Sequence, residues 1–245
     1  MKVTIIPMAL LALWAGVTGV AGANIADGDS ATWGGQYTCN ALPSASGWTL
    51  DFVSNGYSEA GLASVNSGIL NVHTNDGNDP AIYWSHSAPL EVQADQMSAI
   101  EWKVKVNSSQ SWPATSLSGI IKYNGAYYWF GHGLTATEAV ISPNSAAWAT
   151  TADSYVYRLR FEVVSNVPYA AIYVGTDGSS LSNLAWKVSA SLGTTAISQT
   201  YVRFGDMGGG EGNYDIDYIR WVPEPASGAI LLLGVAGLLG RRKKR

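Results

Sequence analysis

Residues 99–106 alternate apolar and polar side chains without a break: Ile100, Trp102, Val104 and Val106 on one side, Glu101, Lys103 and Lys105 on the other. Residues 155–164 repeat the pattern, with Tyr157, Leu159, Phe161 and Val163 set against Arg158, Arg160 and Glu162. In an extended chain successive side chains point to opposite faces, so this alternation gathers all the apolar groups on one side. A helix would need a period of about 3.6, which neither stretch supplies. Both therefore predict strands with one face in a core and one toward water, as antiparallel pairing allows.

Shorter runs predict further strands at 48–53, 69–74, 81–85, 117–123, 126–131, 169–174, 184–188, 201–205 and 215–221. Turn residues separate them. Asn124-Gly125 lies between two such runs and predicts a two-residue type I′ hairpin, which needs positive φ at both positions. Asn66-Ser67-Gly68, Asp76-Gly77-Asn78-Asp79-Pro80 and Thr176-Asp177-Gly178 read as further turns. No amphipathic helix of ten or more residues is evident, and no repeat of fixed period. An all-β domain with this many strands must close into a sandwich or a barrel to protect its edges. The lack of a repeat argues against a propeller.

Both ends of the chain read as addresses. Lys2 precedes the apolar stretch 3–20, and Ala21-Gly22-Ala23 forms an A-x-A cleavage site. Residues 1–23 are therefore a secretory signal peptide, cut by signal peptidase between Ala23 and Asn24. At the other end, the prolines of Pro223-Glu224-Pro225 cannot continue a strand ladder. An uncharged run follows at 226–240, then Arg241, Arg242, Lys243, Lys244 and Arg245. Fifteen helical residues span about 22 Å, and the cations at their end read as a membrane stop whose tail stays in the cytoplasm.

Residues 24–221 are left as one domain, large enough for a single core. They hold 8 basic against 17 acidic residues, a net charge of −9. That balance repels phosphate backbones, so nucleic acid is excluded as a partner. Cys39 is the only cysteine, which rules out an intrachain disulfide and a thiolate metal cluster; a small, semi-buried side chain is the expectation.

The ending, Pro223, Glu224 and Pro225, then 226–240, then Arg241 to Arg245, closely resembles the PEP-CTERM sorting signal. The resemblance implies processing by an exosortase, a membrane-embedded protease that removes this tail. It further implies a transient inner-membrane anchor, release to the cell surface or matrix, and a Gram-negative host that makes exopolysaccharide. It covers residues 222–245 and gives an address, not an activity.

Pieces of the middle resemble the concanavalin A-like jelly roll of laminin-G-like modules, legume lectins and family 16 glycoside hydrolases. Ser67-Gly68-Ile69-Leu70-Asn71-Val72 looks like their early strand. Residues 155–162 followed by 171–175 look like their long strand and hairpin. Phe204-Gly205 and Asp215-Ile216-Asp217-Tyr218-Ile219-Arg220-Trp221 look like their close. The resemblance implies an antiparallel β-sandwich. The hydrolases carry Glu-x-Asp-x-x-Glu on a strand, but no Glu here is followed two residues later by Asp: Glu101-Trp102-Lys103 and Glu162-Val163-Val164 both lack it. A nucleophile elbow, a His-Glu-x-x-His and a P-loop are missing as well.

Three scattered histidines, His73, His86 and His132, read as structural. Asp217 stands where the resembled jelly rolls often place a carboxylate on a structural calcium, so a Ca²⁺ ligand is one expectation and a solvated strand carboxylate the other. The oxygen-rich loop at 76–79 reads as an ordinary Asx turn. Tyr83-Trp84 and Tyr127-Tyr128-Trp129 lie in neighbouring runs, and exposed aromatic faces stack on the C–H faces of sugars. Trp84, Tyr127 and Trp129 are the candidate ligand-binding residues, against the alternative that they only pack. Tyr127 and Trp129 must share one face, with Tyr128 on the other. The expected function is a non-catalytic surface or matrix protein associated with exopolysaccharide. A lectin-like module with a defined sugar site and a glycan hydrolase or lyase with an unfamiliar site are the alternatives.

Overall fold

The computed structural model describes residues 33–78, 80–92, 98–109, 113–143, 146–149, 155–179, 181–206 and 212–222. The expected signal peptide with Ala23 and Asn24, the motif Pro223-Glu224-Pro225, the apolar run and the basic tail Arg241 to Arg245 lie outside them, as does Asp79.

Two antiparallel sheets face each other. The first holds β1 (Gly35–Tyr37), β3 (Ala63–Asn66), β4 (Ile69–His73), β7 (Ser98–Ser109), β12 (Tyr155–Val164), β13 (Val167–Gly175), β14 (Ala185–Ser191) and β17 (Gly212–Trp221). Its order is β14-β13-β12-β7-β17-β4-β3, with β1 also on β17. The second holds β2 (Thr49–Val53), β5 (Ile82–Ser87), β6 (Glu91–Val92), β8 (Thr115–Tyr123), β9 (Ala126–Leu134), β10 (Glu138–Ser142), β11 (Ala146–Ala149), β15 (Gly193–Thr195) and β16 (Tyr201–Asp206). Its order is β11-β10-β9-β8-β16-β5-β2; β15 joins β9, and β6 pairs with β8 in the one parallel contact among the described residues. The only α-helix among them, α1 (Glu59–Leu62), is a single turn between β2 and β3. This is the antiparallel β-sandwich expected from the sequence. Each expected strand is present, 155–164 with the same ends and the others with shifted ends, and β1, β3, β6, β10, β11 and β15 are additional.

Alternation builds the core. Ile100, Trp102 and Val104 of β7 and Tyr157, Leu159 and Phe161 of β12 all point inward and are buried. They meet the second sheet directly: Phe161 packs on Phe130 with ring centroids 5.0 Å apart, and Trp102 on His132 at 5.6 Å. Each fully buried large apolar side chain contributes about 1.5–3 kcal/mol relative to exposure. Cys39 is part of this core, and burial pushes its thiol up to about 12.

Local chemistry fixes the turns and the register. Asn124 and Gly125 have φ of 48° and 78°, both positive as the hairpin requires. Ser165-Asn166 makes the same turn, with φ of 51° and 64°. The closing strand carries a bulge. Ile216 pairs with Val104 and Tyr218 with Lys103, so Asp217 has no partner across the ladder. The extra residue shifts the phase, and Tyr214, Ile216, Ile219 and Trp221 all reach the core.

One expectation changes. Glu101 and Arg158 do stand on the outer face of the first sheet, yet both are fully buried. Trp33 and the 176–179 loop cover them, so that face is not simply solvated.

Candidate functional site

Five neighbouring strands of the second sheet, β2, β5, β16, β8 and β9, turn a patterned face outward. One in-register row runs Ser87, Tyr201, Ile120, Trp129, Gly193. The next runs Thr49, Ser85, Arg203, Ser118, Gly131, Ser142. A third contains Ser116, Gly133 and Val140. Tyr201, Ile120 and Trp129 in the first row and Ser118, Gly131 and Ser142 in the second leave a hollow. Its volume is about 410 Å³, and its lining includes Trp129, Tyr201, Ile197, Ser118, Gly131 and Ser142.

Packing holds the wall in place. Ile120 is 1% exposed although it faces outward, because Tyr201 and Trp129 flank it on adjacent strands. The Trp129 indole lies flat against β15: a Cβ on Gly193 would come within 2.5 Å of its Nε1. The indole nevertheless stays 36% exposed, and Ile197 beside it 47%. A rigid aromatic face and an apolar side chain thus border a floor of serine hydroxyls and bare backbone.

A polar hollow of about 260 Å³ adjoins the first across Tyr201, lined by Thr49, Asp51, Ser85, Ser87, Gln199 and Arg203. The Asp51 carboxylate accepts from Ser85 Oγ at 2.9 Å and from Arg203 Nε and Nη2 at 3.1 Å each. The Arg203 guanidinium lies over the rings of Tyr83, at 5.0 Å, and Tyr201, at 5.1 Å. Tyr83 in turn stacks on Phe52 at 5.4 Å, with planes 15° apart. Together the two hollows form one trough, apolar at the β9 end and hydrogen-bonding at the β2 end.

Of the residues singled out in the sequence, Trp129 forms the trough wall. Tyr127 shares its outer face, nearer the hairpin tip, and Tyr128 packs toward the core. Trp84 is a correction. It alternates inward with Ile82 and His86, is 0% exposed, stacks on Phe204 at 5.1 Å and donates its indole N–H to Glu59 at 2.7 Å. No face of it is left for a ligand; the outward aromatic on that strand is Tyr83. Sequence reasoning missed Tyr201, Arg203, Asp51 and Ile197. Tyr201 and Arg203 do alternate with the apolar Val202 and Phe204, but their opposition to Ile120 and Ser118 rests on long-range register.

The calcium expectation at Asp217 does not fit the residues present. The bulge turns its carboxylate toward Lys103, whose ammonium pairs with it and supplies the positive charge. Among the described residues no group of three or more His, Cys, Asp or Glu could hold a metal ion. Asp76, in the other oxygen-rich loop, accepts from the backbone N of Asn78 at 2.9 Å, which is an Asx turn.

Across the sandwich, the outer face of the first sheet holds a buried ion cluster. Glu101 accepts from Arg158 Nε at 2.6 Å, Arg220 Nε at 2.8 Å and the Tyr218 hydroxyl at 2.7 Å. Both guanidiniums also donate to the Gly178 carbonyl, at 2.7 and 2.8 Å. The Trp33 ring caps them, 5.5 Å from Arg158 and 4.6 Å from Arg220. With every Glu101 oxygen engaged, the cluster has the character of a fastening and not of an acid or base.

His132 lies under the trough, on the inner side of β9. Its Nδ1 accepts from the Trp102 indole at 3.2 Å, and its ring stacks on Trp148 at 5.6 Å. Burial lowers its pKa from 6.5 to about 3. Between those values the unfolded chain binds a proton that the folded chain refuses, so stability falls as pH drops below about 6.5. Urea unfolding at pH 7 and pH 5 should show a loss of about 2 kcal/mol in the parent protein beyond that in His132→Asn. Equal losses would mean that His132 takes up its proton in the folded state.

Similarities with known proteins follow the same division. No curated protein matches the chain. Among solved structures, the exoplasmic/lumenal domain of VIP36, in its Ca²⁺/Man3GlcNAc-bound form, is similar at a TM-score of 0.48 and 10% identity, covering 79% of this chain and 92% of that one. Peanut lectin is similar at 0.45 and 10% identity, covering 69% and 95%. The Emp47p carbohydrate recognition domain is similar at 0.44 and 9% identity, covering 75% and 93%. At such values the likenesses bear on neither ligand nor activity. No helix among the described residues is long and apolar enough to cross a membrane, and the run at 226–240 lies outside them. Residues 222–245 match the PEP-CTERM protein-sorting motif, which implies an exported chain that begins as a membrane-anchored precursor and is processed by an exosortase.

Proposed function

We propose that this protein is a non-catalytic surface or matrix component that holds exopolysaccharide in the trough on its second sheet. The carrying observation is the half-exposed Trp129 indole, fixed by Ile120 and Gly193 above a floor of Ser118, Gly131 and Ser142. Such a surface offers an aromatic face to sugar C–H groups and hydroxyls to sugar oxygens. It needs no rearrangement to do so, which keeps the entropic cost of binding low. The walls favour a defined sugar site over diffuse adhesion, and this is the lectin-like form of the reading.

Among the described residues the trough holds one carboxylate, Asp51, which accepts from Arg203 and Ser85. Glycoside hydrolysis of the usual kind needs a pair of carboxylates across the scissile bond. That supports binding without turnover. The sorting motif supports delivery to the outside of the cell, where such a ligand would be met.

The test is retention of the native host's exopolysaccharide by purified protein. Trp129→Ala should weaken retention about tenfold or more, as loss of a central aromatic anchor does, in a protein that is still folded at the assay temperature. Trp186→Ala removes the most exposed tryptophan among the described residues, on the edge of the other sheet, and should leave retention intact. Equal behaviour of the two variants would sink the proposal, as would release of reducing ends from the polysaccharide.

A further inference from the structure

We infer that the trough takes an uncharged polysaccharide chain lying across the strands, with a separate binding compartment on each side of Tyr201. This rests on the glycan reading above and goes further, because it fixes the direction, the extent and the charge class of the ligand. The band of stacking groups runs Phe52, Tyr83, Arg203, Tyr201 and Trp129 across five adjacent strands, with the covered Ile120 between the last two. Four strand spacings make it about 19 Å long, which is several sugar rings and far more than one. A single sugar would use only one of the two hollows.

The compartments differ in chemistry. At the β9 end the ligand meets an indole and Ile197, so contact there is with the apolar ring face. At the β2 end it meets Asp51, Ser85, Ser87, Thr49 and Gln199, which read hydroxyl groups. The charge of Arg203 is already balanced: Asp51 pairs with it, and Tyr83 and Tyr201 lie against its guanidinium. The net charge of −9 on residues 24–221 also repels uronate-rich or sulfated chains. Charge and stacking together select a neutral polymer.

The experiment uses the host's exopolysaccharide, cut by partial hydrolysis and sorted by length and by charge. Binding to the purified protein should strengthen with chain length and level off once a fragment spans both hollows. Asp51→Ala should cost long fragments about tenfold in affinity and leave short ones unchanged, because only long ones reach the polar hollow. Gln199→Ala on the exposed loop provides the same comparison without touching the Arg203 pair, should Asp51→Ala prove unstable. Neutral fragments should bind better than acidic ones of equal length. If short and long neutral fragments bind alike, or if acidic ones win, the two-compartment inference is overturned while the trough stays a glycan site. If neither fragments nor polymer bind, both readings fall together.

Discussion

Glu101→Ala is expected to destabilise the fold by about 3–5 kcal/mol, a large share of the 5–15 kcal/mol that typically separates folded from unfolded states. Glu101 is 0% exposed and so is Arg158, while Arg220 is largely covered. Two guanidiniums share one carboxylate, and removing it leaves both cations facing each other with only the Gly178 carbonyl between them. The large cost is that of an uncompensated buried charge, and it does not measure what the cluster contributes when intact. Desolvating three ions offsets most of their attraction. Replacing Glu101, Arg158 and Arg220 together by apolar residues of similar volume should therefore restore most of the loss. Urea unfolding of the single and triple variants checks both statements. A loss below about 1 kcal/mol for Glu101→Ala would mean that water reaches the cluster and screens it.

This cluster also shows where sequence reading stops. The alternation in 99–106 and 155–164 says which side chains share a face, and the structure agrees at every inward position from Ile100 to Phe161. It does not say what covers the other face. Trp33 and Gly178 are far from Glu101 in sequence, and only the assembled sheet brings them over it. The same limit explains Trp84. Its run at 81–85 gave a period but no phase, because Tyr83 and Trp84 are both large aromatics; burial against Phe204 settles which one turns in. Tyr127 to Trp129 were easier, since Phe130 and His132 continue the inward set. Strands β10, β11 and β15 have three to five residues each, too few for a period to emerge. Two of them, β10 and β15, nonetheless flank β9 and complete the trough. The bulge at Asp217 was written in the sequence as a change of phase, apolar at 214 and 216 and again at 219 and 221. That signal becomes legible once β7 is known to be the partner.

Phe204→Ala is expected to cost about 3–5 kcal/mol as well, through a different mechanism. The ring is 0% exposed and is the meeting point of three other aromatics: Trp84 at 5.1 Å, Trp48 at 4.8 Å and Tyr37 at 6.0 Å. None of these can collapse into the space, because each is pinned by its own strand or by a hydrogen bond, as Trp84 is by Glu59. A cavity therefore remains and its lining loses dispersion contacts. The position is also informative about the trough. Phe204 lies on the inner side of β16, whose outer side presents Tyr201 and Arg203. Those two are held from above the sheet, by Ile120, Asp51 and Tyr83, and by ladder bonds to β5 and β8. Well below its lowered melting temperature, Phe204→Ala should consequently retain exopolysaccharide as the parent does, while Trp129→Ala, with the smaller loss of stability, retains it poorly. The two variants separate core from site across a single sheet. If Phe204→Ala also lost retention while still folded, the trough would depend on the packing beneath it, and the polysaccharide would be reading the whole sandwich instead of one face.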